Sequence, residues 1–256
     1  MVDYLVYSIQ YFLFSTARYL VFAIPLFIIF WVIGKDYFLT KRIQKKIPPL
    51  LTNLREFYYS MFSIFMFSII IPMTVFLSKY SLIQIYDDIS EFSILYFILS
   101  IFIGIVVHDI YFYIIHRLMH TKFLYRSVHK VHHSFTNPSP LAAFAFHPVE
   151  AILEAMAYPL ITFLIPIHPF ALLIIFTIST AQSTIGHLAH EIYPNNMFGR
   201  LIQWIWITPT HHNMHHQLVK CNYGLYFNIL DRIFKTNHPD YENKCQSLRA
   251  AKIQDH

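Results

Sequence analysis

Charge is scarce in this sequence. Only 13% of its 256 residues are Asp, Glu, Lys or Arg, against 56% hydrophobic ones, too little polar surface to cover a water-soluble globule. The chain is therefore expected in a bilayer. Cysteine is equally sparse. Cys221 and Cys245 are the only two, with no secreted-domain spacing around them, which argues against a disulfide framework and makes a reducing compartment the default. With five glycines there is no GxGxxG fingerprint for a flavin or nicotinamide, so a redox role would need electrons from a separate protein. Internal repeats, low-complexity tracts and flexible linkers are also absent, and the chain reads as one unit. The net charge of +5 sits beside apolar stretches and not in an aromatic-interleaved polar patch, which argues against nucleic acid as a partner. A removable signal peptide is disfavoured too. Asp3 precedes a lone Arg18 in the first thirty residues, and no small-residue cleavage site follows the apolar run, so that run is expected to stay as an anchor.

What the sequence does hold is apolar runs and histidine. Runs over 17–33, 57–77 and 93–115 are long enough to cross a bilayer as helices. A further apolar region, 151–184, is interrupted by Pro159, Pro166 and Pro169 and reads as a helical hairpin, either two tilted crossings or a re-entrant pair. This predicts an all-α, multi-pass membrane bundle with N-terminal transmembrane helices over 1–106, a catalytic region over 107–240 and a tail over 241–256. Lys35, Lys41, Arg42, Lys45, Lys46 and Arg55 follow the first span, whereas Asp87, Asp88 and Glu91 face only Lys79 after the second. Positive charge then puts the first loop in the cytoplasm. The third span and the hairpin bring every histidine cluster to that same face.

Sixteen residues are histidine, and they are grouped. His116 and His120 form HxxxH; His129, His132 and His133 form HxxHH; His187 and His190 form HxxH; His212, His215 and His216 form a second HxxHH. At this frequency one HxxHH is expected about 0.06 times by chance, and two roughly once in five hundred such chains. Residues three and four apart share a helix face with Cβ atoms about 5–6 Å apart, so each cluster can aim its imidazoles at one point. The ten clustered histidines match the demand of two metal ions where carboxylates are scarce. Imidazole suits iron, zinc, copper and nickel alike. Asp109 lies seven residues before His116, on nearly the same face, and is expected to orient a ligand imidazole by accepting its second N–H. His108 and His147 stand nearby as further candidates, His147 more as a helix start. His168, His211 and His238 are read as non-ligands, and Asp231 with Arg232 as a local ion pair fixing the C-terminal segment. Tyr111, Tyr113 and Tyr223 lie near the boxes without a clear redox signal. A metal transporter and a non-catalytic metal-binding scaffold remain as rivals to an enzyme; a transporter would place its ligands at mid-membrane along an ion path.

The ordered motifs HDxYxYxxHRxxH, HKVHHS, AFHPVE, GHxxxE, TPTHHNMHH and NYGLYFNxxDRIF, over 107–236, resemble the fatty acid hydroxylase superfamily, in particular its sterol desaturase and methylsterol oxidase branch. The resemblance implies a di-iron centre on the cytoplasmic side, whether in a bacterial inner membrane or the endoplasmic reticulum, with zinc possible in purified protein. It also implies O2 as co-substrate, a cytochrome b5-type or ferredoxin-type electron donor, and hydroxylation or desaturation of a lipid or sterol. Carried over residue by residue, the metal ligands are His116, His120, His129, His132, His133, His187, His212, His215 and His216. His190 stands where related sequences often have another residue, and the HxxH spacing adds it as the tenth. Leu230 replaces a common Trp and Lys235 a common Gly, which bears on packing or donor docking more than on chemistry.

Overall fold

The computed structural model describes residues 2–77 and 83–252; Lys79, part of the charge comparison above, lies outside them. The protein is all-helical, and among the described residues the only β pairing is three isolated bridges. Among the described residues four helices are long and apolar enough to cross a membrane: Asp3–Ile33, Leu50–Thr74, Ile94–Met119 and Pro169–Gly186. The first two take in most of α1 (Val2–Phe27) and of α2 (Leu50–Leu77), and the third is α3 (Ile94–Met119). Ile94, Leu95, Ile98 and Phe102 on α3 are exposed, as expected of a surface that meets lipid and not water. The first crossing starts some fourteen residues earlier than its hydropathy suggests, because Tyr4, Tyr7, Gln10 and Tyr11 dilute the apolar signal without breaking the helix.

After α3 the chain turns through α4 (Lys122–Leu124), a π turn (Tyr125–His129) and α5 (Lys130–His133). The expected hairpin is one broken arm and one straight arm. α6 (Pro148–Ala155) and α7 (Ala157–Leu164) have eight residues each, and α8 (Pro169–Gly186) has 18. The break at Met156 precedes Pro159, whose ring cannot follow four residues of continuous helix, and α7 ends just ahead of Pro166. The remaining helices are α9 (Met197–Ile205), α10 (Pro209–Leu218), α11 (Ile229–Ile233) and α12 (Tyr241–Ala250). α6, α8 and α10 share one start signal: proline at the first helical position behind His147, His168 or Thr208, whose side chains accept a backbone N–H.

α1 and α2 pack through Tyr19, Ala23 and Ile64, with Leu141 and Ala143 from the connecting segment. α3 meets α7 and α8 through Ile161, Ala171, Leu172 and Ile175. Gly104 permits this approach, since a Cβ there would lie 2.4 Å from Ile175 Cδ1. The two ends of the bundle carry different charge. At one end the basic loop after the first crossing joins the histidine-bearing segments, with Gln44 on Thr136 O and Asn213 and with Ile43 N–H on Ala189 O. At the other, Gln84 pairs with Thr162 and Ile167 beside Asp87 and Asp88. Lys45→Cys and Gln217→Cys, both at exposed positions, should therefore react with an impermeant maleimide from one side of a sealed vesicle, and Asp88→Cys from the other. Opposite-side labelling of positions 45 and 217 would contradict this arrangement.

Candidate metal centre

The end of α3 presents His116 and His120 one turn apart. The π turn and α5 supply His129, His132 and His133, the C-cap of α8 supplies His187, and α10 supplies His212, His215 and His216. These nine imidazoles converge in two adjacent groups, His116, His120, His129, His133 and His215 in one and His132, His187, His212 and His216 in the other. Within each group the candidate ligand atoms all lie within 4.8 Å of one another. The groups abut, with the ring centres of His132 and His129 5.4 Å apart and those of His133 and His216 4.9 Å apart.

The geometry fits shared ions. His120 Nε2 lies 3.1 Å from His215 Nε2, His187 Nε2 3.1 Å from His212 Nε2, and His212 Nε2 3.2 Å from His216 Nε2. Nitrogens about 2.0–2.1 Å from one ion at roughly right-angled to tetrahedral openings would be spaced about 3.0–3.4 Å apart. Both ring nitrogens of His133 and Nε2 of His129 are buried without a hydrogen-bond partner among the described residues, which is costly unless something else takes their lone pairs. In five of the nine rings the opposite nitrogen is fixed. Nδ1 of His116, His132, His187 and His215 donates to the carbonyls of Tyr223, Ala145, Ser183 and Cys221, and Nδ1 of His129 donates to Glu150 Oε1 at 2.8 Å. Each such bond selects the tautomer whose Nε2 is a free donor to metal. Burial, reinforced by neighbouring imidazoles, holds His129, His132, His133, His212 and His216 well below the usual imidazole range. Burial likewise brings His187 down to about 4. They are neutral at pH 7, as metal ligands must be.

His190 is not among them. Its Nδ1 donates to Leu188 O, and its ring packs near Phe30 and Trp31, with centres 5.4 and 6.1 Å away. The HxxH spacing would align both rings only on a continuing helix. Instead α8 stops at His187, and Ala189 takes a φ of 61°, turning the chain away. His190→Ala is accordingly expected to leave metal content unchanged, as is His238→Ala, whereas loss of bound metal in the former would return His190 to the ligand set.

Asp109 also differs from its expected role. Its Oδ1 accepts the backbone N–H of Tyr226 and Phe227, at 2.8 and 3.2 Å, and its side chain has no hydrogen bond to an imidazole among the described residues. It anchors the 223–227 segment, whose Tyr223 carbonyl orients His116. Asp231 and Arg232 do not pair with each other. Asp231 accepts from Tyr223 N–H, Gly224 N–H and the Thr236 hydroxyl and lies 3.3 Å from His211 Nε2, while Arg232 pairs with Glu242. Burial pushes the Asp231 carboxyl upward, but His211, Thr236 and the Tyr223 N–H outweigh it and bring it down to about 2. Gly224 is required in this turn, since a Cβ would meet Phe227 O at 2.8 Å.

The other histidines have local work. His147 and His168 cap α6 and α8, His108 Nδ1 is 3.0 Å from the Tyr226 hydroxyl, and His211 Nε2 also reaches Asn237. Tyr111 bonds Leu153 O, Tyr113 bonds Thr236, and the Tyr223 ring packs 5.1 Å from His120. Sequence reasoning missed Glu150, although a carboxylate inside AFHPVE in so acid-poor a chain was a usable signal. A cavity opens on the cluster between His116, His132, His187, Phe112, Phe146 and Glu154. A second shares Phe112, Phe146, Glu154, Ser183 and Leu225 with it and runs toward α1 and α2.

Fold and site together define a polytopic helical protein with a buried polyhistidine centre beside an apolar cavity. The fatty acid hydroxylase family profile matches residues 101–236, and the chain belongs to that family. It is 31% identical over 201 residues to the lathosterol oxidase of Rattus norvegicus, covering 77% of this chain and 66% of that protein. It is 31% identical over 147 residues to a Delta(7)-sterol 5(6)-desaturase of Gibberella zeae, covering 57% and 44%, and 28% identical over 215 residues to human lathosterol oxidase, covering 81% and 70%. The chain thus spans 44% to 70% of the lengths of these relatives. No solved structure gives a significant match. The resemblance to the sterol desaturase branch, read from the motifs, agrees with these relatives.

Proposed function

We propose that this chain is a membrane-bound di-iron oxidoreductase that uses O2 and electrons from a separate cytochrome b5-type or ferredoxin-type carrier to hydroxylate or desaturate a sterol or related lipid C–H bond. The observation that carries this reading is the pair of adjacent imidazole groups opening on an apolar cavity within a helical membrane bundle. His116, His120, His129, His133 and His215 would hold one ion, and His132, His187, His212 and His216 the other. When bound, such a pair supplies the means to activate O2 toward an unactivated C–H bond. The chain's own residues do the rest. Glu150 and four backbone carbonyls fix ring orientation, and Phe112 and Phe146 keep the cavity apolar. Lys122, Arg126 and Lys130, exposed beside the cluster, suit an acidic electron donor. The basic loop at the same end supports a cytoplasmic active site. A transporter is disfavoured because the ligands cluster at helix ends and not along a crossing path.

Purified protein should contain about two irons per chain and consume O2 with a reductant only when a sterol or acyl lipid is present. Lipid that copurifies, identified by mass spectrometry, should reveal the substrate class. An iron-loaded protein that takes up no O2 under any of these lipids would favour the non-catalytic scaffold.

A further inference from the structure

The outer cavity is apolar over most of its wall, yet two ionisable side chains from different helices face into it, Arg18 of α1 and Glu154 of α6. They form no ion pair with each other or with any described residue, Glu154 has no described hydrogen-bond partner, and Arg18 Nε is buried without one. Of the other polar groups of this wall, which also include Tyr11 and Ser179, His108 bonds Tyr226, Thr180 bonds Phe176 O and Ser183 bonds Ala143 O. Glu154 also lines the inner cavity, one helical turn from Glu150, whose Oε2 is a second unpartnered oxygen in a side chain only 1% exposed. Unpartnered acceptors in an apolar chamber are costly, and a ligand hydroxyl can satisfy them at the junction of the two cavities.

We propose that Glu154, with Arg18 facing the same chamber, receives the hydroxyl of a hydroxylated neutral lipid and so sets which carbon meets the histidine cluster. This rests on the sterol or lipid reading above. A hydroxyl can both donate, as Glu154 requires, and accept, as Arg18 requires, whereas a free fatty acid would bring a carboxylate that Arg18 attracts but Glu154 and Glu150 repel. The placement suits a 3-hydroxysterol. In a Delta(7)-sterol 5(6)-desaturase such as the Gibberella zeae relative, carbon 5 lies two bonds from the carbon that carries the 3-hydroxyl, so a group holding that hydroxyl must border the same chamber as the reacting centre. Glu154 does, and the sterol body would extend into the outer cavity between Phe67, Phe144 and Phe176.

The test is binding of radiolabelled lathosterol, of its 3-methyl ether and of a free fatty acid to the full metal-loaded chain in lipid nanodiscs, with metal content measured in parallel. The wild type should prefer the free hydroxyl over the ether by about fivefold or more, as for one hydrogen bond to a buried carboxyl. Glu154→Leu should erase that preference with metal content unchanged, and Glu154→Gln, which keeps an accepting oxygen, should retain much of it. Equal binding of alcohol and ether by the wild type, or an undiminished preference in Glu154→Leu, would overturn the role of Glu154 while leaving the sterol reading intact. Tighter binding of the fatty acid than of either sterol, or no sterol binding at all, would overturn the substrate reading itself and this assignment with it.

Discussion

His215→Ala should strip most of the metal from the five-histidine group and lower turnover by more than the roughly 10–100-fold that loss of an orienting partner costs. His215 is fully buried, its Nε2 lies 3.1 Å from that of His120, and its ring centre is 4.5 Å from that of His116 and 4.7 Å from that of His133. Its Nδ1 is committed to Cys221 O at 2.6 Å, which holds its Nε2 toward the group. His132→Ala should have a matching effect on the other group, because the His132 ring sits at the seam, 4.5 Å from His216 and 5.4 Å from His129. Metal analysis and turnover of both variants beside His238→Ala provide the check. Two ions and normal turnover in His215→Ala would remove this histidine from the centre.

Much of this site could be read from spacing alone. HxxxH and HxxHH are periods of a helix, and where the chain stays helical, at α3, α5 and α10, every spaced histidine reaches the cluster. The reading fails where the helix stops. His187 and His190 share a helical interval but are separated by the end of α8 and the turn at Ala189. Partners that are backbone groups have no sequence signature at all. Asp109 seven residues before His116 invites a side-chain pairing, yet its carboxylate serves two N–H groups 117 and 118 residues away. The same holds for Asp231, whose neighbour Arg232 is the obvious partner in sequence, while the fold gives it Tyr223, Gly224, Thr236 and His211 instead. Hydropathy found the crossings but not the start of α1, because tyrosines at its first turns look polar on a hydropathy scale while sitting readily in a helix at a membrane interface.

Acidification should release the metal and destabilise the apo protein over the same window. The clustered imidazoles outside the spans have folded-state values pushed below the ordinary 6.5 by burial and by one another, with His187 brought to about 4 and His212 and His216 well below 6.5. An unfolded chain binds protons at these positions near 6.5 and the folded chain does not, so stability is fully present above pH 6.5 and declines as pH falls toward the folded values. For His187 alone the change from pH 7.5 to 5 is about 2 kcal/mol, and several imidazoles act together, so the decline in melting temperature should be steep and the number of protons taken up on unfolding greater than one. Protons also compete with metal for the same nitrogens, which places half-release of the ions in the acid range, at a pH that rises when metal is made scarce. Asp231 does not share this window, because its carboxyl stays ionised down to about pH 2 and its contribution is lost only below pH 4. Thermal melts and metal retention measured from pH 7.5 to 5 supply the test. A melting temperature and metal content that stay flat to pH 5 would show that these imidazoles are not held neutral by burial in the folded protein.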